Sequence, residues 1–128
     1  MTTARAGTIE ASNGLVDAAR VAAARSRLPA ADEVDRLAAW FRVLGDPTRS
    51  RILYALLEVG ELCVSDLAAT IDAPETNVSQ SLRWLRSAGM VRSRRSGRLV
   101  YYALDDEHVA ALLGLGREHL RHRRDTSR

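Results

Sequence analysis

Between Asp32 and Gly89 the apolar positions recur at intervals of three and four in several runs, and from Met90 to Leu104 at intervals of two. The first period belongs to amphipathic helices and the second to a half-buried hairpin. Residues 1–8 are polar and without period, and are expected to be disordered. Ile9 to about Arg27 is an alanine-rich helical run carrying Leu15, Val16, Ala19, Ala22 and Ala23, stopped by Pro29. Asp32 or Asp35 opens an amphipathic core helix with Val34, Leu37, Ala38, Phe41 and Leu44 inward and Gly45 at its end. Asp46-Pro47-Thr48 combines an N-cap with proline at the first helical position, and Ile52, Leu53, Leu56 and Leu57 point inward up to Gly60.

The next stretch is a short extended Glu61 to Val64, then Ser65 as the cap of a helix from Asp66 to Ile71. A break from Asp72 to Glu75 leads into a second helix from about Glu75 to Ala88, ended by Gly89. Helix, short turn and helix form a DNA-reading unit if the second helix offers a polar face. Val78, Leu82 and Leu85 define its buried stripe, which leaves Thr76, Ser79, Gln80, Arg83 and Ser87 around the opposite side. Amide, hydroxyl and guanidinium groups suit bases and phosphates, although an ordinary solvated face is the competing reading. Asn77 and Trp84 lie on the flank, where Trp84 is expected to pack. The two alternating runs of Met90 to Leu104 flank Ser96-Gly97 and carry Arg92, Arg94, Arg95 and Arg98, so they read as an arginine-tipped wing. The fold expected is mainly α with a small β-hairpin wing, a winged helix-turn-helix.

Composition adds size and charge to this picture. At 128 residues the chain is expected to be residues 1–30 as an N-terminal arm or helix and residues 31–128 as one small DNA-binding and dimerisation domain. That size favours a homodimer. The 19 basic residues are all arginine, whose fork suits phosphate and guanine. No apolar run approaches the roughly 20 residues that span a bilayer, so no membrane partner is expected and a cytoplasmic location is. The single Cys63 excludes an internal disulfide and a thiolate cluster. No nucleophile triad or glycine-rich phosphate loop is present, so an enzyme is not expected.

All three histidines fall in the last helix. His108 and His119 are eleven residues apart, which at about 100° per residue returns them to within roughly 20° of one face, with His122 a turn later. At about 1.5 Å per residue they are also roughly 16 Å apart, too far for one helix to close a zinc site. Two antiparallel copies can bring Asp106 and His108 of one chain beside His119 and His122 of the other, giving one carboxylate and three imidazoles. A solvated histidine face, with Asp105 or Asp106 as a mere helix cap, is the alternative.

The runs Leu44 to Leu53, Glu61 to Ala68, Asn77 to Leu85 and Gly97 to Tyr102 resemble the ArsR/SmtB family of metal-responsive repressors over residues 34–122. The resemblance implies a dimeric winged-helix repressor of double-stranded operator DNA; the polar side of the second helix and the hairpin tip make Thr76, Asn77, Ser79, Gln80, Arg83, Arg94, Arg95 and Arg98 the residues expected to face the nucleic acid. It implies zinc as inducer, cobalt as its mimic, and Asp106, His108, His119 and His122 as ligands. It also implies a link from His119 to the region of Gly89. Ser65 stands where the family's thiolate sensors carry a second cysteine, so a cadmium, lead or arsenic site is not expected. A nickel or cobalt sensor of the same fold, a repressor with a non-metal inducer, and a metal-storage protein are the other readings.

Overall fold

The computed structural model describes residues 16–126. The expectations for residues 1–8 and for the start of the first helix at Ile9 lie outside them. The chain divides into two compact units, Met1–Leu37 and Ala38–Arg128. In the first, α1 (Ala18–Arg27) is capped by Asp17, whose carboxylate accepts the Arg20 N–H at 2.9 Å. Leu28 is extended, as a residue before proline must be, and ends the helix. α2 (Ala31–Leu44) begins in this unit and ends in the second.

The second unit continues with α3 (Pro47–Val59), β1 (Leu62–Cys63), α4 (Val64–Ile71), α5 (Glu75–Ser87), β2 (Val91–Ser96), β3 (Leu99–Leu104) and α6 (Glu107–Thr126). Asp46 caps α3 by accepting the Arg49 N–H at 3.0 Å, with Pro47 at the first turn, as its sequence requires. Ile52, Leu53, Leu56, Leu67, Val78, Leu82, Leu85, Met90, Val91, Val109 and Leu113 form one continuous core. Burying each large side chain contributes roughly 1.5–3 kcal/mol, so α3, α4, α5 and the first half of α6 are held by the same cluster.

Three expectations are corrected. In α2 the side chains on the core are Trp40, Val43 and Leu44, whereas Val34, Leu37 and Phe41 are exposed, Phe41 at 52%. Two adjacent apolar stripes lie on that helix and share Leu44, and the core takes the one that lies a single position earlier, at Trp40 and Val43. Ser65 does not cap α4: the cap position is Cys63, with no side-chain bond, and Ser65 Oγ instead lies 3.4 Å from Cys63 Sγ. Pairing of β1 with β3, Leu62 opposite Tyr102 and Cys63 opposite Tyr101, holds Cys63 extended, so the helix starts directly after it. That pairing also makes the wing part of a three-stranded antiparallel sheet ordered β1-β3-β2. The hairpin's two central residues are Gly97 and Arg98, one step later than expected, with Ser96 opposite Leu99. Gly97 has φ +63°, the first central position of a turn that matches the strand twist.

Candidate metal centre and nucleic-acid interface

α4 and α5 are joined by the tight turn Asp72 to Pro74, in which Asp72 takes the left-handed conformation at φ 56° and closes α4. α5 then buries Val78, Leu82 and Leu85, as its periodicity dictates. Thr76, Asn77, Ser79, Gln80 and Arg83 are all exposed. Thr76 Oγ1 lies 3.5 Å from Asn77 Oδ1, so these two present a joined polar edge near the start of the helix. Trp84 does not pack away as expected. It is 53% exposed, and the Arg49 guanidinium sits 5.8 Å from its ring centroid. The stripe at 78, 82 and 85 turns position 84 outward.

The four wing arginines divide into two pairs. Arg94 is held in a fork by Glu61, Nε to Oε2 at 2.7 Å and Nη2 to Oε1 at 2.8 Å, and lies over the Tyr101 ring at 4.9 Å. The hydrogen bond from Arg94 keeps the Glu61 carboxyl below its ordinary pKa, and the same bond raises that of Arg94. Arg92 Nη1 donates to the carbonyls of Leu104 at 2.6 Å and Asp105 at 2.8 Å. Arg95 and Arg98, at the hairpin end, are exposed and make no ion pair among the described residues. All four guanidiniums are exposed, Arg92 and Arg94 with partners on the domain and Arg95 and Arg98 with no ion pair among the described residues.

At the start of α6 the carboxylate of Asp106 divides its oxygens between two tasks. Oδ1 accepts the N–H groups of His108 at 3.0 Å and Val109 at 3.1 Å and so caps the helix. Oδ2 lies 3.4 Å from Nδ1 of His108, whose side chain is 95% exposed. The Val109 N–H, ahead of the contributions from His108, lowers the pKa of the Asp106 carboxyl from its ordinary value. For a tetrahedral zinc with bonds of about 2.0–2.1 Å, two ligand atoms stand about 3.3–3.4 Å apart. Asp106 Oδ2 and His108 Nδ1 thus already have the spacing of one edge of such a site, and a carboxylate with an imidazole is an ordinary zinc donor pair.

His119 and His122 are exposed on the far half of the same unbroken helix. Among the described residues no three His, Cys, Asp or Glu side chains of one chain come together around a cation position. The structure therefore joins Asp106 with His108 and does not bring His119 or His122 to them. His119 makes no hydrogen bond to Gly89 in the single chain, and Met90 O instead accepts the N–H of Asp105 at 2.9 Å. The burial of α6 ends at Leu113. Beyond it Leu115 and Leu120 are 62% and 70% exposed, and Leu115 lies on the histidine face by the helical count. Glu61, Arg92 and Tyr54, whose hydroxyl donates to Leu113 O at 2.8 Å, were not singled out for these contacts by the sequence. The approach of Glu61 to Arg94 spans 33 residues and that of Tyr54 to Leu113 spans 59, beyond any periodic signal.

A helix-turn-helix followed by a hairpin with exposed arginines at its end is a winged helix-turn-helix. The family described as bacterial regulatory protein, arsR family, matches residues 46–93. The chain is 47% identical over 73 residues to a cadmium resistance transcriptional regulatory protein, a CadC homolog of Staphylococcus aureus, which is 57% of this chain and 60% of that protein. It is 46% identical over 89 residues to a transcriptional repressor SmtB homolog of Synechocystis sp., 70% of this chain and 67% of that one. The solution structure of a homodimeric winged helix-turn-helix DNA-binding domain from Mycobacterium bovis matches 72% of this chain and 88% of its own length, with 34% identity and a TM-score of 0.65. The chain belongs to the arsR family of regulators, a family of transcriptional regulators rather than enzymes. Among the described residues no helix is long and apolar enough to cross a membrane.

Proposed function

We propose that this chain is a homodimeric repressor of double-stranded operator DNA, released when zinc binds two sites shared across the dimer. Each site takes Asp106 and His108 from one chain and His119 and His122 from the other. The observation that carries this reading is the 3.4 Å spacing of Asp106 Oδ2 and His108 Nδ1, with Oδ1 already committed to the helix cap. Antiparallel pairing of the two α6 helices places the two-fold axis midway between the ligand pairs, at the level of Gly114, where Leu115 lies on the histidine face, is exposed and would supply apolar cover. The cadmium and SmtB-type relatives support an inducing metal, and the donor set of this chain, imidazole and carboxylate without a second thiol, supports zinc with cobalt as its mimic.

The bound ion would supply four bonds that tie the start of one α6 to the end of the other. The chain's own residues do the rest. Thr76, Asn77, Ser79, Gln80 and Arg83 present the major-groove face. Arg95 and Arg98 reach the phosphates, while Glu61 keeps Arg94 as a brace. Two such faces on a dimer must match grooves about 34 Å apart, so a modest change in dimer geometry weakens both contacts together. Metal and DNA then oppose each other reciprocally, by a coupling of about 1–3 kcal/mol or more.

The test is a cobalt(II) titration of the apo-protein followed by zinc, then anisotropy of a labelled duplex selected from a random pool by the apo-protein. Intense visible bands saturating at one cobalt per chain, erased by zinc, and a metal-dependent loss of duplex affinity are expected. His119→Ala should abolish both effects and leave apo binding of the duplex intact. Unchanged zinc release in that variant would sink the scheme, and tight metal binding without any duplex binding would indicate storage.

A further inference from the structure

We infer that Arg92 is the positioning residue that joins the start of the metal-binding helix to the DNA-facing elements of the same chain. The inference rests on the metal-responsive reading above and concerns how its two sites communicate. Three consecutive residues, Leu104, Asp105 and Asp106, are held from three directions. Asp105 N–H donates to Met90 O at 2.9 Å, and Met90 directly follows Gly89, just past the end of α5, the helix proposed to enter the major groove. Arg92 Nη1, from the first strand of the wing, donates to Leu104 O at 2.6 Å and Asp105 O at 2.8 Å. Asp106 then turns its own carboxylate into α6 and toward His108.

The placement of this guanidinium is not what charge alone would choose. The start of α6 carries the positive end of the helix dipole, a place where a cation is disfavoured unless specific acceptors hold it. Here two carbonyls do, both shorter than an ordinary neutral N–H to carbonyl bond and typical of a charged donor. Two positions further along β2, Arg94 is fixed to Glu61 in a fork, so the same strand is tied at both places to the body of the domain. Any displacement of Asp106 therefore moves the peptides of Leu104 and Asp105, and these are bonded to the end of α5 and to β2. In the sequence Arg92 is one more wing arginine. In the structure it is the one that faces the metal-binding helix rather than the nucleic acid.

The experiment compares the wild-type chain, Arg92→Met and Arg92→Lys as full-length dimers. Affinity for the selected duplex is measured with and without zinc, cobalt binding is followed by absorption, and hydrogen exchange is followed at the Asp105 amide. Arg92→Met is expected to bind cobalt with unchanged stoichiometry and band intensity, and to bind the duplex in the apo form within about threefold of wild type. Its ratio of apo to zinc-loaded affinity should fall at least fivefold, from within the 5–150-fold range usual for coupled sites. Arg92→Lys, which keeps the charge and can reach one carbonyl, should retain part of the ratio. Zinc should alter protection of the Asp105 amide in wild type and not in Arg92→Met. An undiminished ratio in Arg92→Met overturns the inference, as does a loss of cobalt binding in that variant with Arg92→Lys behaving as wild type. A wild-type affinity that ignores zinc overturns the reading beneath it instead.

Discussion

Asp106 offers a separation of two roles on one carboxylate, because Oδ1 and Oδ2 face different partners. Asp106→Asn keeps an oxygen able to accept the N–H groups of His108 and Val109, and asparagine is as good an N-cap as aspartate. Asp106→Ala removes the cap, at a typical cost of about 1 kcal/mol. For a unit of this size that corresponds to a fall in Tm of roughly 4–8 °C, compared at equal protein concentration because a dimer's Tm depends on it. Asp106→Asn should therefore lower the apo Tm by less than Asp106→Ala, the remaining loss being the helix-dipole benefit of the charge, about 0.3–1 kcal/mol. Both variants lose the anionic donor beside His108 Nδ1, and both should lose metal affinity by more than the 10–100-fold that removal of a supporting residue around a metal costs. Thermal unfolding of the apo-proteins and cobalt titration, run in parallel, read the two roles independently. Equal losses of Tm in the two variants would refute the capping argument. Wild-type cobalt affinity in Asp106→Asn would refute the ligand argument.

Three further outcomes follow from the same contacts. Tyr54→Phe deletes the hydroxyl that donates to Leu113 O and should lower stability by about 1 kcal/mol, read by urea unfolding. The pKa of Glu61 is lowered in the folded chain by its bond from Arg94, so the stabilisation it gives is present above the ordinary carboxylate range and is lost as pH falls through the lowered folded value; Glu61→Gln should flatten that acid-side dependence in unfolding measured from pH 7 down to pH 3. Replacing Arg95 and Arg98 with alanine should reduce the slope of log affinity against log salt by about 0.9 for each phosphate contact removed, whereas Arg94→Ala should change the slope less, because Glu61 already holds that guanidinium.

The parts of this fold that were legible are those written in local period. Val78, Leu82 and Leu85 repeat at helical spacing and are buried, and alternation from Val91 to Leu104 gives the hairpin. The cap at Asp46 with Pro47 was legible for the same reason, since its chemistry is complete within four residues. Periodicity could not choose between the two apolar stripes of α2, because both have helical spacing and only the tertiary position of α3 and α5 decides which one meets the core. The capping role given to Ser65 failed because β1 pairs with a strand about forty residues away, a constraint absent from the local sequence. At the site, the face shared by His108, His119 and His122 was readable from angle alone, and so was the impossibility of closing it on one helix. The division of the wing arginines into Arg92 and Arg94 as braces and Arg95 and Arg98 as exposed cations was not, since a guanidinium's partner is chosen by placement and not by type.

α6 is anchored unevenly, and under the proposed reading that unevenness explains how a local binding event becomes a change in the dimer. Its first half is fixed by Val109, Leu113, the Tyr54 hydroxyl and the bonds around Asp105, while its second half presents Leu115, His119 and Leu120 to the outside. Each shared site would join the fixed half of one chain to the exposed half of the other. A helix that was buried along its whole length could bind the ion with the same donors and yet change nothing, because it would hold one geometry in both states. A ligand shifts an equilibrium only by its difference in affinity between the two states, however tightly it binds. The exposed half of α6 is what allows two dimer geometries to differ in the distance between ligand pairs. The rigid half, tied through Met90 and Arg92 to the recognition helix and the wing, is what makes that difference felt at the DNA. Stiffening the far half, for instance by Gly116→Ala beside Tyr54, should therefore reduce the zinc dependence of DNA affinity more than it reduces zinc affinity itself, and an equal reduction of both would argue against this division of the helix.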